Sequence, residues 1–454
     1  MITIKKSNKL IISGCDARTL EVVKNTLSIK NPTYEKIIRI TGNRWGAQAF
    51  FKYYKIDKST GDLTLPRGFF DRFVGYLHKK EIEYSMSIDM VGDKMENWNT
   101  SLWKEVDLRD YQQTLLKDVL ANEIGVVYAG TGSGKSVLTC EIVRKLGLKT
   151  TIIVPKTILA SQFKDEFKKW FNYDVGIVDA THKEINKDVV VATWQSLASK
   201  PELARELGNK TGLLVVDENN EGISKTRAKT LECFRPLRMF GLSGTPRKSK
   251  DSGQTEAIFF YYGPIVAEYK PTMIIPTVEV VYTKVDIPVS ANYHEMIDSM
   301  VNNDDRNNLI KGLATLEVFG GRKVLILTKR REHCTILAEK LKGFNIYYAD
   351  SDDKDRNEIL GEMRSGERDF NILIGTGALL SSGVDIPSLD VLILCGDLKT
   401  DVGLEQSAGR VLRLSEGKES AKIIDLVDDR NPILKRQWYE RNKLYKSKGW
   451  EVKF

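Results

Sequence analysis

Five cysteines in 454 residues (Cys15, Cys140, Cys233, Cys334 and Cys395) include no CxxC pair and are an odd number, which excludes a disulfide framework. With only four scattered histidines beside them, no ligand set for a structural zinc ion is legible either. No run approaches the roughly 20 consecutive apolar residues of a membrane span. The leading segment MITIKKSNKLII lacks the small-residue cleavage site of a secretory leader. The expected setting is the cytoplasm, that of a host cell if the chain is viral, with no membrane partner. Low-complexity tracts and short repeats are also missing.

Acidic residues are scarce in one region. Residues 1–80 hold 16 Lys/Arg against 6 Asp/Glu, a balance of +10 in a chain whose total is +8, so residues 81–454 sum to −2. A basic leading unit is an electrostatic footprint for a polyanion, because it displaces condensed counterions from a phosphate backbone. The alternative is a lysine-rich solvated face. Hydrophobic residues at 41% and charged residues at 29% give the balance of a globular chain. The length suits two sizeable α/β cores and one smaller unit.

Short β-rich runs alternate with amphipathic helical stretches from about residue 125, the pattern of parallel sheets covered by helices. Gly125–Tyr128, Thr151–Val154, Asp188–Val191 and Leu213–Val216 read as buried strands of one sheet. After a polar segment at Pro288–Asn308 the pattern restarts with Lys323–Leu327, Asn371–Ile374, Val391–Leu394 and Lys422–Asp425. Residues 1–95 differ, with hairpin punctuation at Ser59–Asp62 and the aromatic run Phe50–Tyr54, and read as a small α+β unit. The expected division is therefore 1–95, 96–280 and 281–454.

One motif carries clear chemistry. Strand Val126–Tyr128 leads into Ala129-Gly130-Thr131-Gly132-Ser133-Gly134-Lys135-Ser136 and then an apolar helical run. Glycines let such a loop wrap with its amides facing phosphate oxygens, and the following helix start adds partial positive charge. Lys135 is the candidate for the β/γ-phosphates and Ser136 for Mg²⁺, with ATP as the expected nucleotide. About 80 residues on, strand Leu213–Val216 ends in Asp217-Glu218. Asp217 can hold the metal through water while Glu218 polarises the water that attacks the γ-phosphate.

Around these two sites, over about residues 105–430, the chain resembles the superfamily 2 helicases. Leu108–Gln112 is similar to the adenine-reading segment upstream of the phosphate loop, implying nucleotide contacts from Arg109 and Gln112. Val154–Thr157 and Val191–Ser196 resemble strand-contacting segments, and Ser243–Pro246 the segment that couples hydrolysis to domain movement. Gly375–Pro387 resembles the fifth motif, with Gly383 and Asp385 expected at the nucleotide. Gln406–Arg413 resembles the sixth, whose Arg410 and Arg413 would stabilise charge on the γ-phosphate with Gln406 beside them. Leu65–Gly68, Ala192–Ser196 and the basic aromatic segment after Ile424–Asp429 are similar to the phage UvsW-like branch-migration helicases, which are akin in part to the XPB repair helicase. One departure stands out: Asp217-Glu218-Asn219-Asn220 ends in Asn where the family commonly has His, which puts the link between ATP and nucleic-acid states in doubt.

The resemblance implies two RecA-like parallel-sheet domains in tandem behind an α+β DNA-binding unit, acting as a monomer. Lys156, Thr157, Thr193, Trp194 and Thr376 are the expected contacts to one tracked strand, and Arg44 and Arg67 the expected contacts of the basic unit to duplex, forked or branched DNA. Trp438, Asn442 and Tyr445 share one helical face and read as a docking stripe. Three other readings stay open: an RNA helicase of the same superfamily, an ATP-gated clamp without translocation, and the motor subunit of a restriction system.

Overall fold

A computed structural model describes the chain except at residues 32–33, 43–47, 97–105, 131–132, 220–222, 245–253, 271–273, 291, 349–355, 377–385, 387, 397–407, 409–417 and 419. The chain forms two compact units, Met1–Pro271 and Thr272–Phe454.

The first unit opens with a five-stranded mixed sheet in the order Lys55–Ile56, Leu63–Pro66, Lys9–Ser13, Ile2–Lys6, Tyr84–Ile88. Alternation aims Ile2, Ile4, Leu10, Ile12, Leu63 and Leu65 inward onto Phe69, Phe73 and Leu77. The hairpin expected at Ser59–Asp62 is present: Gly61 takes a positive φ of 76°, and the Asp57 carboxylate accepts from the Ser59 amide at 2.8 Å. The aromatic run begins as strand Phe50–Lys52, paired antiparallel with Ser28–Lys30.

This small core is not closed by its own residues. Phe260, from helix Gln254–Tyr262 of the following sheet, belongs to it, packing edge-on to Phe69 at 5.9 Å and tilted against Tyr53 at 5.5 Å. Main-chain bonds join the regions as well, with Val91 donating to the Arg235 carbonyl and Leu237 to the Val91 carbonyl, both at 2.7 Å. Residue 95 is therefore no seam. Arg67, expected on the surface facing DNA, is 2% exposed, and its guanidinium donates to the carbonyls of Pro236 and Leu237. Those carbonyls replace the water that a buried cation gives up, so this arginine fastens the basic sheet to its neighbour and is not available to a phosphate.

The neighbour is a seven-stranded sheet ordered Gly176–Val178, Val189–Thr193, Thr150–Val154, Leu213–Val216, Arg238–Ser243, Ile124–Ala129, Ile265–Tyr269. Every pair in it is parallel. Its central strands are buried on both faces, as their continuous apolar runs require, with helices such as Lys135–Leu146 and Thr157–Phe171 closing one core and Trp194–Ser199 and Pro201–Gly208 the other.

The second unit repeats the architecture in the order Ile346–Tyr348, Ile372–Thr376, Val324–Thr328, Val391–Leu394, Lys422–Val427, Thr277–Tyr282, Glu451–Lys453, again with parallel pairs. Thr277–Tyr282 lies beside Lys422–Val427, so the division falls near residue 271 and not between 280 and 281. Helix Pro432–Ser447 docks on this sheet. Trp438 and Tyr445 are buried, and Asp425 accepts a bidentate pair from Arg441, the shortest contact 2.7 Å, together with the Tyr445 hydroxyl at 2.8 Å. The stripe is a docking surface.

The fixed contact between the basic sheet and its neighbour is testable at Gly68. A Cβ there would lie 2.3 Å from the Gly263 nitrogen and 2.7 Å from the Tyr261 carbonyl carbon, atoms that cannot move aside as a side chain can. Gly68→Ala is expected to cost roughly 1–3 kcal/mol of stability, measured by urea denaturation; an unchanged midpoint would show that the two sheets are not packed this way.

Candidate active site

Parallel pairing brings the ends of distant segments to one edge. Register sets Thr193 beside Val154, Val216 beside Ile153 and Ser243 beside Tyr128, so the loops that follow all leave the carboxyl edge of the first seven-stranded sheet. The phosphate-loop strand and the acidic strand are not neighbours. Arg238–Ser243 lies between them, a strand absent from the sequence reading because Gly241 interrupts its apolar run.

Gly134 ends the phosphate loop in the left-handed region at φ 73° and serves as N-cap of helix Lys135–Leu146, so the first helical amides open onto the loop. Lys135 is mostly buried. Its ammonium donates to the Ala129 carbonyl at 3.3 Å and lies 3.9 Å from a Glu218 oxygen. Ser136 is half-buried in the first turn. Ser133 is 4% exposed, and its hydroxyl has no hydrogen-bond partner among the described residues. Thr131 and Gly132 lie outside the described residues.

Arg109 caps helix Asp110–Leu120 and is exposed, whereas Gln112 is 6% exposed with both ends of its amide in use. The Gln112 oxygen accepts from the Arg109 amide at 3.0 Å, and its nitrogen donates to the Ser133 carbonyl at 2.9 Å. A Cβ on Gly134 would sit 2.4 Å from that nitrogen. The expected adenine-reading residue is thus a strut under the phosphate loop.

Asp217 is 7% exposed, and its Oδ1 accepts from the Glu218 amide at 2.9 Å. Burial first, then the neighbouring Glu218, pushes its carboxyl well above the ordinary carboxylate range, while Lys135 pulls the other way. Glu218 is held at a φ of 50°, unusual for a side chain of this kind. Backbone strain of this sort persists only where the surroundings over-determine it, and it clusters at functional positions.

The expected strand contacts divide. Lys156 and Thr157 are exposed at the start of helix Thr157–Phe171, and Thr376 is half-buried at the carboxyl end of Ile372–Thr376 in the second unit. Thr193 and Trp194 are not open to a nucleic-acid strand. The Thr193 hydroxyl caps helix Trp194–Ser199 by accepting from the Ser196 amide at 3.4 Å and donates in turn to Ser196 Oγ at 3.0 Å, and Trp194 is 7% exposed in the core beneath Arg227. A cap and an aromatic core position claim these two side chains. Arg44, Asn220, Gly383, Asp385, Gln406, Arg410 and Arg413 lie outside the described residues. Sequence reasoning passed over Tyr111 and Tyr269, which stack beside the loop. Tyr111 stood inside Leu108–Gln112, but nothing local marked Tyr269.

Residues 105–248 match the family described as Type III restriction enzyme, res subunit, and residues 306–415 match the Helicase conserved C-terminal domain. The chain is a superfamily 2 helicase. As such it is an ATP hydrolase. This helicase is 27% identical over 337 residues to the "Probable helicase D10" of Escherichia phage T5, covering 72% of each chain. It is 22% identical over 452 residues to the "ATP-dependent DNA helicase uvsW" of Enterobacteria phage T4, covering 91% of this chain and 88% of that one. Among solved structures, S. cerevisiae Dbp5 bound to RNA and ADP BeF3 shares the fold with a TM-score of 0.53 at 16% identity, covering 76% of this chain and 89% of Dbp5.

Lys135→Ala removes the charge beside the loop but none of the buried apolar contacts of its helix. ATP turnover of the variant is expected to fall by roughly 100-fold or more with the melting temperature unchanged; turnover near the parent rate would place the nucleotide elsewhere.

Proposed function

We propose that this helicase is a DNA translocase that remodels duplex or branched DNA, with the basic N-terminal sheet gripping the duplex while the two seven-stranded sheets drive one strand. The observation that carries this reading is the shared core at Phe260, which fixes a unit bearing exposed Arg39, Lys52, Lys55 and Arg72 to the first seven-stranded sheet. Exposed cations on a unit packed against the motor can hold a phosphate backbone beside it. Phosphate contacts from Lys156, Thr157 and Thr376 would hold a strand without reading its sequence. The name of the phage T4 relative points the same way.

In the hydrolytic step, water attacks the γ-phosphorus, Glu218 accepts its proton, and the bond to the bridging oxygen breaks to release ADP. Lys135 and the helix amides meet the phosphate charge. The Ser136 hydroxyl and the Asp217 carboxylate are hard oxygens of the kind that suits Mg²⁺ and would hold it, and the ion would offset phosphate charge when bound. Arg410 and Arg413, by the resemblance to the sixth motif, would add charge stabilisation in the transition state.

The test compares ATPase stimulation by single strands, duplex, forks and four-way junctions, each as DNA and as RNA. Forked and four-way DNA should stimulate most; strongest stimulation by structured RNA would select an RNA helicase, and stimulation without strand displacement a clamp. Replacing Lys52 and Lys55 with Ala should weaken fork binding and flatten the slope of log affinity against log salt by about 0.9 for each phosphate no longer neutralised. An unchanged slope would make these cations solubilising ones.

A further inference from the structure

The last strand of the first unit bears on the phosphate loop through a register shift. Ile265–Tyr269 pairs in parallel with Ile124–Ala129, and its register slips by one residue between Ile265 and Ala267. Val266 is squeezed out of the ladder over Gly125, where a Cβ would come within 2.4 Å of both its methyl groups. An unbroken ladder from the Ile265–Val126 pair would set Glu268 opposite Ala129. The bulge sets Tyr269 there instead.

The Tyr269 ring lies flat on Tyr111, centroids 3.8 Å apart and planes 6° apart. Each tyrosine then reaches one end of the loop. Gly130 donates its amide to the Tyr269 carbonyl at 3.2 Å, and the Tyr111 hydroxyl donates to the Ser133 carbonyl at 3.2 Å, next to the bond from Gln112. The Arg109 guanidinium donates to the Tyr111 oxygen at 3.3 Å, which orients that hydroxyl toward Ser133. The first unit ends at Pro271, two residues beyond Tyr269, so the same stack ties the loop to the chain that enters the second unit.

We propose that Tyr111 and Tyr269 are a positioning pair for ATP hydrolysis: stacked on each other, they fix Gly130 and Ser133, and with them the approach of the loop amides and Lys135 to the phosphates. Neither ring needs to touch the nucleotide. Their effect is pre-organisation, the loop being held in its binding form before ATP arrives, and so it falls on ATP affinity more than on the chemical step. The inference rests on the assignment of this loop as the ATP site; failure of that assignment would show separately, as hydrolysis surviving in Lys135→Ala.

The experiment is steady-state ATPase kinetics of the full chain in three variants, each with its melting temperature recorded with and without ATP. Tyr269→Ala loses the stack and should raise KM for ATP by roughly tenfold with a smaller change in kcat, and should shrink the ATP-induced melting shift. Tyr269→Phe keeps the ring and the main-chain carbonyl and should retain the parent KM. Tyr111→Phe keeps the stack but loses the bond to Ser133, and should raise KM roughly three- to tenfold, the change that one net hydrogen bond converts to. It also decides the matter should Tyr269→Ala fail to fold. The proposal is overturned if Tyr111→Phe binds and turns over ATP as the parent does, or if Tyr269→Phe is as impaired as Tyr269→Ala.

Discussion

Parallel register is the constraint on which this molecule depends. A parallel ladder sends every strand out of the same edge, and in the first unit that edge collects Ala129, Val154, Thr193, Val216, Ser243 and Tyr269 from segments scattered over its length. Slippage of any of these strands by one residue would turn its side chains to the opposite face and misplace the group that follows it. The sheet resists this because both its faces are packed by separate apolar cores. The one slip among the described residues of this sheet, at Val266, is accommodated by a glycine and brings Tyr269 to the loop.

Buried charge separates framework from site. Glu141 with Arg144, Asp425 with Arg441 and Arg306 with Asp428 are buried ions in close pairs, at 2.8, 2.7 and 2.9 Å, and pairing at that range compensates their lost hydration. The pair at the phosphate loop is different. Asp217 and Glu218 are carboxylates adjacent in sequence, one of them buried, with a lysine 3.9 Å from the second and a strained backbone between strand and side chain. Like charges left under-compensated are a poor framework and a suitable receptor for cationic metal and for a proton taken from water.

Much of this was legible because it is local. Four-residue apolar runs such as Leu213–Val216 and Val391–Leu394 are too short for a helix and suit strands buried on both faces, and the glycine and lysine spacing of the phosphate loop specifies strand, turn and helix within a dozen residues. What escaped is non-local. Arg67 read as a surface cation because arginine is seldom buried, yet the carbonyls that satisfy it lie 169 and 170 positions further on. Phe260 carried no signal of its own, because the core it completes belongs to a sheet that begins at the N-terminus. Thr193 carries a hydroxyl at the right edge, where a helix cap claimed it first. Tyr269 reaches the loop only by virtue of a bulge, and a bulge is a property of paired strands that no single run of residues displays.

The central claim is that Asp217 and Glu218 divide their work at the end of strand Leu213–Val216, one holding the metal and the other taking the proton of the attacking water. It is tested most directly by measuring ATP binding and ATP turnover side by side in Glu218→Gln, an exchange that keeps the shape and removes the base. Affinity for ATP should stay within about threefold of the parent while turnover falls by roughly 100-fold to 10,000-fold, the range that a positioned general base supplies. Turnover at the parent rate would contradict this division of roles, because some other group would then be orienting the water.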